Sequence, residues 1–222
     1  MSMDNSMIEN NRDVMTRIHR ADTFLTIPGW NGSGPEHWQS IWEAKYAGFR
    51  RVEQREWHRP SREEWIDSIE GMVQQAASPV YLVAHSLGCV AVAHWAADRD
   101  AAGIAGALLV APPWLSAADT CPEELRGFVP MPIGRLPFHS MLVGSGNDPY
   151  LPIETAMRLA RSWGSEFVNA GRLGHINIAS GHGPWAAGER LLERLCEAGR
   201  PEMPGRAPET VTRFGARRQA SR

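Results

Sequence analysis

Six short apolar runs alternate with stretches of helical periodicity along most of this chain, and no other feature narrows its fold so far. Five of them are Thr23 to Ile27, Val80 to Ala84, Ile104 to Val110, Phe138 to Val143 and Glu166 to Asn169; the other, second in chain order, is Arg50 to Gln54, a weak strand whose one apolar residue is Val52. Between them lie the helical patterns. Pro35 to Tyr46 carries Trp38, Ile41 and Trp42 on one face. The capping box Ser61-Arg-Glu-Glu64 opens a stretch in which Trp65, Ile66, Ile69, Met72 and Val73 recur. Leu87 to Ala97, Pro152 to Trp163 and Pro184 to Cys196 complete the set. Strands separated by helices pair in parallel through right-handed crossovers, and helices then cover both faces of the sheet. The expectation is a doubly wound, three-layer α/β/α sandwich with a mostly parallel sheet of about six strands. One domain over residues 21–199 accounts for it, and residues 1–20 and 200–222 read as polar tails that cannot bury enough apolar area to order themselves.

In a sheet of this kind chemistry gathers at the carboxyl ends of the strands. The residues that follow the strands are Pro28 to Gly34, His85 to Gly88, Ala111 to Trp114, Gly144 to Asp148 and Gly171 to His175. A serine, an aspartate and a histidine stand at three of these ends, in the chain order Ser86, Asp148, His175. The stretch PVYLVAHSLGC places Ser86 on a tight strand-to-helix turn, which is the nucleophile-elbow pattern. A hydroxyl is a poor nucleophile without a base near neutral pKa and a carboxylate to fix the base's tautomer, so His175 is expected as base and Asp148 as its orienter. The Leu87 N–H, at a helix N-terminus, is the expected first oxyanion donor. The second is expected from the Gly29-to-Gly34 loop, as the N–H of Trp30 or Asn31. Ala84 and Gly88 are the small neighbours such a turn demands.

Each of these residues also has a plainer reading. Ser86 or Asp148 could cap a helix, the latter one beginning near Pro152, and His175 could satisfy a buried carbonyl. It is the three strand ends taken together that favour chemistry. His85 is expected to line the pocket rather than act as base, since a residue beside the elbow serine projects away from its Oγ. Trp114 and Trp185, with Trp30, could wall an apolar acyl or aryl pocket, whereas Trp38, Trp42, Trp65 and Trp95 fall on helical faces and read as core. Cys89 reads as a small buried hydrophobe. His182 lies seven residues beyond His175, but no carboxylate or cysteine completes a metal set nearby, so no metal is expected. The glycines of the first loop lack the spacing of a phosphate-binding motif, which argues against a nucleotide.

Charge and cysteine content exclude several partners. With 23 basic and 25 acidic side chains the formal charge is −2, and no global field would recruit nucleic acid or an acidic membrane. The arginines of the C-terminal stretch read as a solvated tail rather than a nucleic-acid arm. No apolar run approaches the ~20 residues that span a bilayer, and the first twenty lack the apolar core of a signal peptide. Three cysteines, Cys89, Cys121 and Cys196, have neither zinc nor disulfide spacing and fit a reducing cytoplasm.

The strings PGWNGSGPEHWQ, VAHSLGC, GSGNDPYLP and GRLGHINIASGHGPWAAGE together resemble the small serine hydrolases of the retinoblastoma-binding protein 9 and YdeN family, over roughly residues 23 to 196. The resemblance implies a minimal α/β-hydrolase fold, the triad on Ser86, Asp148 and His175, and serine-hydrolase activity. Ala84 stands where the usual G-x-S-x-G pattern has its first glycine. The Leu-x-Cys-x-Glu string linked to retinoblastoma binding is absent around all three cysteines, so that partner is not carried over. The expected reaction is cofactor-independent cleavage of a small-molecule ester, thioester or amide through an acyl-enzyme, with no large lid because the Pro112-to-Pro137 connection is short. A non-catalytic binding module on the same scaffold, or an acyltransferase or lyase, remains the alternative. Oligomeric state is not legible.

Overall fold

The computed structural model describes residues 22–76, 79–115 and 121–198. The two expected tails fall outside the described residues. Within them, strands β1 (Thr23–Ile27), β2 (Phe49–Arg51), β3 (Val80–His85), β4 (Ile104–Val110), β5 (Ser140–Gly144) and β6 (Glu166–Asn169) form one parallel sheet in the order β2-β1-β3-β4-β5-β6. Helices α1 (Trp38–Lys45), α2 (Arg62–Gln75), α3 (Leu87–Asp98), α4 (Ile153–Trp163) and α5 (Ala186–Ala198) lie between and after them, with 3-10 turns at Glu123–Phe128 and Ile178–Ser180. This is the expected three-layer sandwich.

The four central strands, β1, β3, β4 and β5, are largely apolar on both faces because both faces are covered. Alternate residues serve different cores: Leu25, Ile27, Leu82 and Ala84 join one cluster with α2, α3 and α4, while Phe24, Tyr81 and Val83 join another with α1 and α5. Burying each large apolar side chain contributes about 2 kcal/mol. Helix α3 is buried from Leu87 through Trp95, so its sequence is apolar all round rather than amphipathic. Trp38, Trp42, Trp65 and Trp95 are core, as expected.

Most element ends differ from the sequence reading by a residue or more, and two strand ends and one helix cap show why. The second strand ends at Arg51 rather than Gln54: Val52 N–H still donates to Thr26 O at 2.9 Å, but β1 stops at Ile27 and Glu53 and Gln54 have no further ladder to join. The fifth starts at Ser140, and Phe138 stacks on Trp95 instead. The Ser61 capping box is half made: Ser61 Oγ accepts from Glu64 N–H at 3.5 Å, while the Glu64 carboxylate turns to Arg55.

Strand order sets where a site can form. The chain leaves β1 toward β2 on one side and returns to β3 on the other, so β1 and β3 flank the switch point, with Ile27 level with Ala84. No described helix is long and apolar enough to cross a membrane.

Candidate active site

A single residue, Ser86, joins β3 to α3, with φ 53° and ψ −126°. A non-glycine residue is strained there and persists only where its surroundings hold it. The turn returns α3 hard against β1: a Cβ built on Gly88 would stand 2.2 Å from Ile27 O and 2.7 Å from Pro28 O. Ala84 is wholly buried and its methyl is part of the core, so alanine serves where the pattern has glycine. Ser86 makes no side-chain cap bond. Its Oγ lies instead 2.8 Å from His175 Nε2.

His175 Nδ1 in turn lies 3.1 and 3.0 Å from the two oxygens of Asp148. A carboxylate only accepts, so the imidazole proton sits on Nδ1 and Nε2 is left to accept from the serine hydroxyl. Asp148 does not cap α4, whose N-cap is Pro152; its Oδ1 takes the Tyr150 N–H at 2.9 Å. The end of β5 also holds the histidine loop. Ser145 Oγ accepts from Leu173 N–H at 2.9 Å, and Asn147 Oδ1 accepts from Gly174 N–H at 2.8 Å and from Ser145 Oγ at 3.0 Å. These two residues, with Tyr150 edge-on to the His175 ring at 4.6 Å, were missed from sequence although all lie in the quoted GSGNDPYLP string.

The loop after β1 presses against the serine, since a Cβ on Gly29 would meet Ser86 Cβ at 2.7 Å. Asn31 takes a left-handed φ of 68°, which asparagine tolerates. Its N–H donates to Trp57 O at 3.1 Å, so of the two expected loop donors Asn31 is already engaged. The N–H groups of Trp30 and Leu87 have no partner among the described residues. Two sets of bonds brace the loop. His58 accepts from Trp30 Nε1 at its carbonyl (2.9 Å) and donates from Nδ1 to Asn31 Oδ1 (2.8 Å). Behind it, Arg51 donates to Ser33 O (3.0 Å) and pairs with Glu43, which Thr26 also bonds. Gln39, fully buried, accepts from Ser33 Oγ (2.7 Å) and donates to Ile27 O (3.3 Å) and Val83 O (3.0 Å), tying the loop to both strand ends.

A cavity of about 680 Å³ opens over the serine. Trp30, Asn31, His85, Leu87 and Trp114 line it, and His37, Cys121, Leu125, Tyr150, Asn177 and Ile178 join them. Trp185 does not. It is 5% exposed and stacks on Trp42 (6.1 Å) and beside Trp38 (5.2 Å) in the α1/α5 core, where Gly188 leaves room for its ring. Among the described residues no aspartate, glutamate, lysine or arginine lines the cavity. Trp114, Tyr150 and Ile178, 41, 59 and 42% exposed, form an apolar rim. No group of three potential metal ligands gathers among the described residues.

Two further histidines adjoin His175. His85 Nε2 donates to His175 O at 3.0 Å, and the rings are 5.0 Å apart; burial, then His37 and His175, hold its pKa well below the ordinary value. His37 sits 4.8 Å from His85, caps α1 by accepting Gln39 N–H at Nδ1, and is held down at about 4 by burial, then by Arg51 and His175. Both are neutral at neutral pH. Burial pushes the Cys89 thiol up, so it is inert as a nucleophile. All three cysteines are unbridged.

The family model described as "Serine hydrolase" matches residues 24–194. A crystal structure described as a YdeN-like hydrolase from Pectobacterium atrosepticum is 31% identical, with a TM-score of 0.76 over 86% of this chain and 100% of that one. The ydeN gene product of B. subtilis is 19% identical, with a TM-score of 0.63 over 79% and 98%. The monoacylglycerol lipase of Paleococcus ferrophilus, at 13% identity and a TM-score of 0.58 over 80% and 94%, shares the fold. No curated protein matches the sequence.

Proposed function

Because the chain belongs to the serine hydrolase family, among its YdeN-like members, we propose that Ser86, His175 and Asp148 are its catalytic triad and that it cleaves a small, uncharged ester, thioester or amide with an apolar acyl or aryl group. The observation that carries the reading is the 2.8 Å contact between Ser86 Oγ and His175 Nε2. As Ser86 Oγ attacks the carbonyl carbon, its proton passes to His175 Nε2, and Asp148 holds the resulting imidazolium at Nδ1. The N–H groups of Leu87 and Trp30 receive the oxyanion of the tetrahedral intermediate. Collapse breaks the bond to the leaving group, which takes the proton from His175 and departs, leaving the acyl on Ser86. Water, deprotonated by His175, then releases the acid and regenerates the serine. No cofactor enters. Among the described residues no aspartate, glutamate, lysine or arginine reaches the cavity to pair with a substrate charge, which supports a neutral substrate. The unbridged cysteines support a reducing, cytoplasmic setting.

The test is labelling with a fluorophosphonate followed by intact mass, on the wild type and on Ser86→Ala, with acetyl, butyryl and phenyl esters as substrates. One adduct on the wild type, none on the variant, and release of free acid are expected. A folded wild type that takes no adduct would sink the reading in favour of a binding module. Acyl passed to an added alcohol with little acid formed would favour a transferase.

A further inference from the structure

His175 is followed by the one β-branched residue among the described positive-φ positions. Ile176 has φ 49° and is wholly buried. A β-branched side chain in the left-handed region is a true outlier, held there by its surroundings and found most often at functional sites. What holds it is a pair of aromatic N–H groups on two consecutive carbonyls. His85 Nε2 donates to His175 O at 3.0 Å, and Trp38 Nε1 donates to Ile176 O at 3.0 Å. The donors come from different layers, His85 from the end of β3 and Trp38 from the first turn of α1. Their rings meet edge to face at 5.9 Å, and both are at least 95% buried.

We infer that Trp38 and His85 are positioning residues, a clamp whose two N–H groups hold the carbonyls of His175 and Ile176 and so set the imidazole of His175 against Ser86. The inference rests on His175 being the catalytic base. The peptide plane that carries the His175 carbonyl directly sets how the His175 side chain leaves the backbone, and the bond to the Ile176 carbonyl holds the next plane and with it the torsions of Ile176. With the clamp in place, Ser145 and Asn147 hold the loop before the histidine and the two aromatics hold it after. His85, the last residue of β3 and the neighbour of Ser86, thereby ties the nucleophile's own strand to the base. Releasing either carbonyl lets the strained residue relax toward an ordinary φ and swings the imidazole away from the hydroxyl. A displacement of 1 Å in a reacting group can cost about 100-fold in rate.

The experiment uses the full chain with Trp38→Phe, which removes the N–H and keeps an aromatic ring, and the pair His85→Leu and His85→Gln. Glutamine can present an amide N–H where Nε2 stood; leucine cannot. Active sites are counted by fluorophosphonate titration, so that unfolded molecules drop out, and kcat, KM and the pH profile of kcat/KM are measured per titrated site. Trp38→Phe and His85→Leu are expected to lose about tenfold or more in kcat and in labelling rate, with KM within about twofold and a moved acidic limb, and His85→Gln to recover most of the loss. Wild-type kcat and an unmoved limb in His85→Leu, whatever its melting temperature, would reduce the clamp to core packing. A wild type that takes no label at Ser86 would overturn the catalytic assignment beneath it, a separate and recognisable result.

Discussion

Gly88 lies so close beneath Ile27 that a Cβ on the glycine would stand 2.2 Å from the isoleucine carbonyl oxygen. That obstacle is backbone at the end of a central strand, which cannot step aside without pulling β1 from β3. Gly88→Ala is therefore expected to destabilise the protein by about 2 kcal/mol or more and to slow labelling of Ser86. Urea unfolding together with labelling kinetics checks this; a variant with wild-type values in both would mean that the elbow is far looser than described.

Asp148→Asn should leave the fold intact and nearly abolish turnover. The amide can donate to His175 Nδ1, which then loses its proton to Nε2, and the nitrogen facing Ser86 becomes a donor. The loss in kcat is expected on the order of 10⁴-fold, the magnitude found for this substitution in serine protease triads. Retention of more than a tenth of the activity would exclude Asp148 as the orienter.

How much of this was legible beforehand follows from where each signal lives. Ser86, Asp148 and His175 each stand where a β-run gives way to turn residues, a local pattern, and parallel topology gathers strand ends automatically. The end of β2 was not legible, because Arg51 to Gln54 reads the same whether or not β1 continues beside it, and β1 stops at Ile27. Trp185 was misplaced for a related reason. It follows the glycine-rich histidine loop in sequence, but Trp38 and Trp42, some 140 residues earlier, decide which way it turns. The engagement of the Asn31 N–H by Trp57 likewise joins two loops that no period connects.

Gln39 reaches three groups of the scaffold at once. Gln39→Leu strips the amide from the carbonyls of Ile27 and Val83 and from the Ser33 hydroxyl, all without access to much water. A cost of about 2 to 3 kcal/mol is expected, with a fall in kcat larger than any rise in KM because the loop bearing the Trp30 N–H loses its brace. Thermal melting and steady-state kinetics separate the two; unchanged kcat with lowered stability would show that the brace does not reach the oxyanion donor.

Acid should weaken the fold through His37. Folded His37 binds its proton only near pH 4, while the unfolded residue binds near 6.5, so between these values the unfolded chain holds more protons and is favoured as pH falls. The stability is complete above about 6.5 and is lost toward 4, by about 3 kcal/mol from this residue alone. His85, shifted the same way, adds to it. His37→Asn keeps an acceptor for the Gln39 N–H and removes the titration. Urea midpoints at pH 7 and pH 5 should differ less in this variant than in the wild type, and equal differences would place the sensitivity elsewhere.

At the cavity mouth the expectation concerns substrate rather than stability. Trp114→Ala should lower kcat/KM for phenyl esters by about fivefold to tenfold, matching the loss of ~1 kcal/mol or slightly more of aromatic contact, and change methyl acetate turnover little. Equal losses on both substrates would mean that the indole shapes the catalytic groups rather than the bound acyl or aryl group.

The division between that rim and the bonds beneath it sets how such an enzyme can diverge. Trp114 and Ile178 face solvent clear of the triad, whereas Tyr150 packs on the His175 ring and most of the groups that aim the serine and histidine, His85, Trp38 and Ser145 among them, are buried. Substitutions at the mouth therefore cost little folding energy, and a lineage can drift through many of them while its reactive centre stays intact. Selection for a new acyl preference would have a short mutational path, and a library confined to Trp114 and Ile178 would sample it without spending most of its members on chains that fail to fold.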